Sequence, residues 1–148
     1  MKYFTALLFL FMMISCGVKT SSTSSTDKIP PADTMEDMMN LLSGKWKLSA
    51  IKFFPQDEII VPQKDYFVEF IDTRFHFNKE VNKCQAKYKI SLPDNIQIAA
   101  EAGCTKMCCD KDISDELMYQ NVSTFSVERN KLTLKGEGRK FEFTKTEK

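Results

Sequence analysis

Five cysteines carry most of the reactive potential of this chain: Cys16, Cys84, Cys104, Cys108 and Cys109. Thiol sulfur can be acylated, paired into disulfides, or held as a thiolate on a soft metal such as zinc or monovalent copper. The run Cys104-Thr105-Lys106-Met107-Cys108-Cys109 invites the metal reading, but it lacks the paired spacing at both ends that marks a zinc ribbon or finger. Disulfides are the stronger reading, because an even number of cysteines follows an export-like N-terminus; four cysteines allow three connectivities. Neither a metal nor another cofactor is expected. Catalytic motifs fail by subtraction. His76 is the sole histidine, and alternation places it on the polar side of a strand, without a serine or acid at the spacing of a nucleophile motif. Asp110 with Asp112, and Asp115 with Glu116, sit where a helix would begin, and negative charge there favours the helix dipole without any chemistry. Gly136-Glu137-Gly138 reads as a hairpin turn, not as a phosphate loop. The chain is expected not to be an enzyme.

Cys16 closes an export segment. Lys2 is the positive flank, Tyr3 to Ile14 is apolar, and Met13-Ile14-Ser15-Cys16-Gly17 resembles a bacterial lipobox. Twelve apolar residues are too few to cross a bilayer core, which takes about 20 residues of helix. Residues 1–15 are therefore expected to be a signal peptide removed on export, with Cys16 lipidated. Two acyl chains already hold a protein firmly at a membrane. Residues 16–33 form a Ser/Thr/Pro tether, too polar to order itself, and residues 34–148 form one folded domain. Asp33-Thr34-Met35 resembles a short bacterial O-glycosylation signal, although a helix N-cap at Asp33 or Thr34 explains it better. Loss of Lys2 with the signal leaves 20 basic against 20 acidic side chains, so the mature domain is neutral. It has no electrostatic footprint for nucleic acid. The membrane is reached through the N-terminal lipid. The absence of acidic residues just after Cys16 points to the outer membrane, on its periplasm-facing side.

The elements that must position these residues are mainly strands. Trp46, Leu48 and Ala50 alternate with polar neighbours, as do Phe75 and Phe77, the series Cys84 to Leu92, and Ile96 to Ala100. Pro93-Asp94-Asn95 reads as a turn between two of them. Phe125 and Val127, Leu132 and Leu134, then Phe141 and Phe143 make a C-terminal meander. Tyr66 to Ile71 is apolar on both faces apart from Glu69, which suits a strand covered on both sides. Met35 to Leu42 can form one or two helical turns, and Ile113 to Val122 is the stronger helix, with Ile113, Leu117 and Tyr119 on its apolar face. The expected class is mainly β with some α: a small antiparallel barrel or coiled sheet of seven to eight strands with one packed helix.

The order Gly44-Lys45-Trp46-Lys47-Leu48, Phe75-His76-Phe77-Asn78, Asn82-Lys83-Cys84-Gln85-Ala86-Lys87-Tyr88, Thr105-Lys106-Met107-Cys108-Cys109, Glu116, Leu132-Thr133-Leu134 and Phe141 resembles the META domain, a family that includes HslJ-type outer-membrane lipoproteins. The likeness covers residues 41–145. Lys83, Gln85 and Cys108 stand where that family usually has Gly, Asn and Ala. Gly44-Lys45-Trp46 also resembles, more faintly, the start of a lipocalin-like barrel, and in either family Trp46 implies a core plug. The META resemblance implies an antiparallel β fold with a packed helix and a role in envelope stress without established catalysis. It also implies a bond between Cys84 and Cys109, which would leave Cys104 and Cys108 to a local bridge or as thiols. Three functions follow: an envelope module that binds or stabilises another envelope component, a carrier of a small apolar ligand, or a redox or metal protein built on the cysteines.

Overall fold

The computed structural model describes residues 34–79, 81–107 and 113–146. Helix α1 (Met35–Leu42) opens the domain. Thr34 is its N-cap, the hydroxyl Oγ1 accepting from the Asp37 backbone N–H at 3.1 Å, and Glu36 and Asp37 place negative charge in the first turn. Met38 and Leu42, four residues apart, share the buried face. Ten strands follow among the described residues: β1 (Gly44–Phe53), β2 (Ile59–Ile60), β3 (Phe67–Ile71), β4 (Arg74–Lys79), β5 (Asn82–Ser91), β6 (Asn95–Ile98), β7 (Gly103–Cys104), β8 (Val122–Glu128), β9 (Lys131–Gly136) and β10 (Arg139–Lys145).

Eight of them close an antiparallel barrel in the order β1, β3, β4, β5, β6, β8, β9, β10, with β10 returning to β1 from Trp46↔Lys145 to Phe53↔Arg139. Closure removes the edges that an open sheet would leave. The thinnest seam lies between β6 and β8, where Asn95↔Thr124 is the recorded pair and the Phe125 N–H donates to the Asp94 carbonyl at 2.9 Å. Strands β2 and β7 lie outside the ring, on β1 and β5 respectively. The barrel and its packed helix match the class expected from the alternation. Trp46, Leu48, Val68, Phe70, Phe75, Phe77, Ala86, Tyr88, Leu132, Leu134, Phe141 and Phe143 all point inward and are buried. A register shift between Leu48 and Ala50 lets β1 change phase, so that Ile51 is also buried. β3 is covered on one side instead of two: Val68 and Phe70 are buried while Ile71 is 44% exposed.

The helix expected over Ile113 to Val122 is not formed. Two short 3₁₀ turns, η1 (Ile113–Glu116) and η2 (Tyr119–Asn121), stand in its place, and Val122 already belongs to β8. The reason lies in the spacing of the apolar residues. Leu117 and Tyr119 are both buried at 2%, yet two residues apart on an α-helix they would diverge by about 200°. The chain breaks between the turns, the Met118 N–H donating to the Glu116 carbonyl at 2.9 Å, and both side chains reach the core.

Tyr119 crosses the barrel interior. Its ring centroid lies 5.1 Å from Phe75 and 5.2 Å from Phe77 on one wall, and 4.9 Å from Phe141 and 6.4 Å from Phe143 on the other. The pairs with Phe75 and Phe77 are edge-to-face, at 75° between ring planes, and such pairs add about 0.5–1.5 kcal/mol each beyond area burial. Trp46 is fully buried, as expected of a plug, and its indole N–H donates to the Leu42 carbonyl at 2.8 Å. One side chain thereby fills the core and satisfies an orphan carbonyl at the end of α1. Gly136 is required where β9 meets the start of β8, since a Cβ there would lie 2.0 Å from the Asn121 carbonyl oxygen.

Candidate functional site

With the inward face given to apolar packing, polar recognition falls to the outer face. Antiparallel register lines up Lys45 with Glu69, Glu69 with His76, and His76 with Gln85, so these four side chains form one row across β1, β3, β4 and β5. The row crosses an open hollow of about 420 Å³ whose lining includes Phe67, Asn78, Val81 and Lys83. The Lys45 ammonium sits 4.1 Å from the centre of the Phe67 ring, a cation–π contact. The Asn78 amide ties β3 to β4: its oxygen accepts from the Phe67 N–H, and its nitrogen donates to the Asp65 carbonyl at 3.1 Å. His76 is half-buried on the outer face, as the alternation predicts.

A neighbouring hollow, which shares His76, Lys83 and Cys84 with the first, is lined by a disulfide between Cys84 and Cys104. This corrects the Cys84–Cys109 bond that the family resemblance implied. β7 runs antiparallel to β5 with Cys104 opposite Cys84, so cross-strand register selects the partner. Cys84 is buried and Cys104 is exposed. Cys16, Cys108, Cys109, Asp110 and Asp112 lie outside the described residues.

Asn82 completes the attachment of this segment, a role that sequence reasoning missed. It is buried at 6% exposure, and its amide pairs with the peptide of Met107: the oxygen accepts from the Met107 N–H at 2.7 Å while the nitrogen donates to the Met107 carbonyl at 3.0 Å. A side-chain amide thus continues the β-ladder where β7 ends. Thr105 adds three bonds, its N–H donating to the Lys83 carbonyl at 2.9 Å, its Oγ1 accepting from the Lys83 N–H at 3.0 Å and its hydroxyl donating to the Asn82 amide oxygen at 3.3 Å. The signal available in the sequence was the polar residue at an inward position of β5, two before Cys84.

Two further carboxylates, Glu116 and Glu142, have structural partners. Glu116 meets Arg139, whose guanidinium is 3.7 Å from the carboxylate and donates to the Glu116 carbonyl at 2.9 Å. Glu142 lies between Lys140 and Lys52 at 2.7 Å and 3.0 Å; the Lys140 hydrogen bond leads in holding its carboxyl below the usual range. Burial, with the Asp72 charge second, raises the Tyr88 hydroxyl. A second hollow of about 740 Å³ lies by the end of α1, lined in part by Met39, Phe70, Ile71, Tyr88 and Lys145. The outer row offers cationic, anionic, amide and aromatic groups on a rigid sheet, and such a surface can hold a partner by hydrogen bonds and charge.

Solved structures share this architecture. A protein from Burkholderia xenovorans matches with a TM-score of 0.61 at 16% identity, covering 74% of this chain and 87% of its own. A DUF4847 family protein from Bacteroides vulgatus matches with a TM-score of 0.54 at 14% identity, covering 73% and 96%. A lipocalin-like protein from Bacteroides uniformis gives 0.52 at 19% identity, covering 72% and 99%. At these identities the likeness concerns the fold. No curated protein matches the sequence. The META domain model matches residues 39–148, which hold the whole barrel, and the chain belongs to the META domain family.

Proposed function

We propose that this protein is a non-enzymatic cell-envelope lipoprotein whose META barrel binds or stabilises another envelope component through its outer face. The observation that carries the reading is the filled interior: Tyr119 and the phenylalanines around it occupy the space in which a carrier barrel would hold its ligand. Binding then belongs to the strand surface, and the row from Lys45 to Gln85 is the patterned part of it. Lipidation of Cys16 would hold the barrel at the periplasmic side of the outer membrane, with residues 17–33 as spacer. A part in envelope stress fits a rigid module on such a tether. The test is Cys16→Ser, which should abolish lipid labelling and release the protein from the membrane fraction. Membrane retention of the unlabelled variant would contradict the anchor.

The lipocalin-like fold of the Bacteroides uniformis protein keeps a carrier reading in play. Its ligand would have to sit in the open hollow beside α1, whose 740 Å³ falls within the usual range for small-molecule sites.

A further inference from the structure

We infer that β2 is a self-pairing edge, through which a second copy of this chain docks by antiparallel strand addition. β2 pairs with β1 alone among the described residues, in the register Ile51↔Ile60 and Lys52↔Ile59. The Phe53 N–H donates to the Glu58 carbonyl at 2.9 Å, so Glu58 and, two residues on, Ile60 turn their peptide groups towards β1. Ile59 and Val61 then direct theirs to the open side. On the outer face their side chains are 55% and 68% exposed, whereas Ile60 is half-buried and packs against the core. The edge therefore offers backbone donors and acceptors together with two uncovered apolar side chains.

The occupant is argued from self-complementarity. A two-fold axis at Ile60 would set Ile59 of one copy opposite Val61 of the other, twice, with the open peptide groups of these residues facing each other. Four exposed apolar side chains would meet on one face. The segment Asp57-Glu58-Ile59-Ile60-Val61-Pro62-Gln63-Lys64 is acidic at its start and basic at its end. Antiparallel pairing brings unlike ends together, while parallel pairing would set like on like. Pro62 has no N–H and stops the ladder after Val61. The β2 edge pairs with its own copy about a two-fold axis, so the pairing closes as a dimer and does not propagate. A ladder this short falls below the about 1,000 Å² of a permanent interface, and tethering on one membrane would raise the effective concentration that a weak dimer needs.

Sedimentation equilibrium of the intact chain in mild detergent tests this, with Ile59→Lys and Val61→Lys as variants. Both residues are exposed, and circular dichroism with the thermal midpoint confirms that the variants fold. The wild type should show a reversible monomer–dimer equilibrium, and each lysine should weaken it by about tenfold or more, which corresponds to about 1.4 kcal/mol. Asp57→Lys should also weaken it. A chain that stays monomeric at every concentration overturns the inference, and so does a dimer indifferent to all three substitutions. These outcomes leave the lipid anchor and the outer-row reading untouched.

Discussion

Tyr119 concentrates the chemistry of the interior in one residue. Its hydroxyl is buried and has no hydrogen-bond partner among the described residues, and burial first, then neighbouring Tyr66, drives its acidity far out of the phenolic range. Leaving such a group unsatisfied costs about 1–3 kcal/mol. Tyr119→Phe should therefore be neutral or raise stability by about 1 kcal/mol in chemical denaturation, and a loss of that size would reveal a hidden partner for the hydroxyl. The sign of the pH effect follows from the raised value. The folded state keeps this proton while the unfolded phenol loses it near pH 10, so the contribution is complete below about pH 10 and lost as pH climbs beyond it. The phenylalanine variant should show a flatter alkaline limb. At this same scale the burial of Trp46 was legible in the sequence, because an aromatic among alternating lysines on a strand has one place to go, and its role as a plug was what the family resemblance implied. Asn82 was not, since nothing local to it announces a clamp on a peptide 25 residues away.

Among the elements, the strands of the barrel could be read because period-two alternation reports a half-buried face directly. β2 and β7 could not, as two residues carry no period. The segment after Ile113 misled because its apolar residues suit a helical face until Leu117 and Tyr119 must both be buried. The Cys84–Cys104 bond escaped for a different reason: it depends on the register between β5 and β7, which only the folded sheet defines. That bond staples β7 to an otherwise open stretch of the β5 edge across a sequence separation of 20 residues. Cys84→Ser or Cys104→Ser should each cost about 3 kcal/mol in the chain-entropy account, and Cys109→Ser should not reproduce that loss. Equal effects at Cys84 and Cys109, with Cys104 indifferent, would restore the pairing that the family resemblance implied.

For the whole molecule, a barrel closed around its own aromatic rings leaves its outer surface to meet partners, and the lipid tether at Cys16 belongs to the proposed function. The META family was legible from short motifs spread over the length of the barrel, although one of its two cysteine positions bonds elsewhere than expected. The motifs report packing positions, and a disulfide can move between neighbouring strands without disturbing them. Native mass spectrometry of the protein released intact from the envelope of its own host tests the central claim most directly. The account predicts a chain that begins at an acylated Cys16 and carries no small apolar molecule. An unprocessed or unacylated N-terminus, or a stoichiometric organic ligand that leaves only when the barrel unfolds, would contradict it.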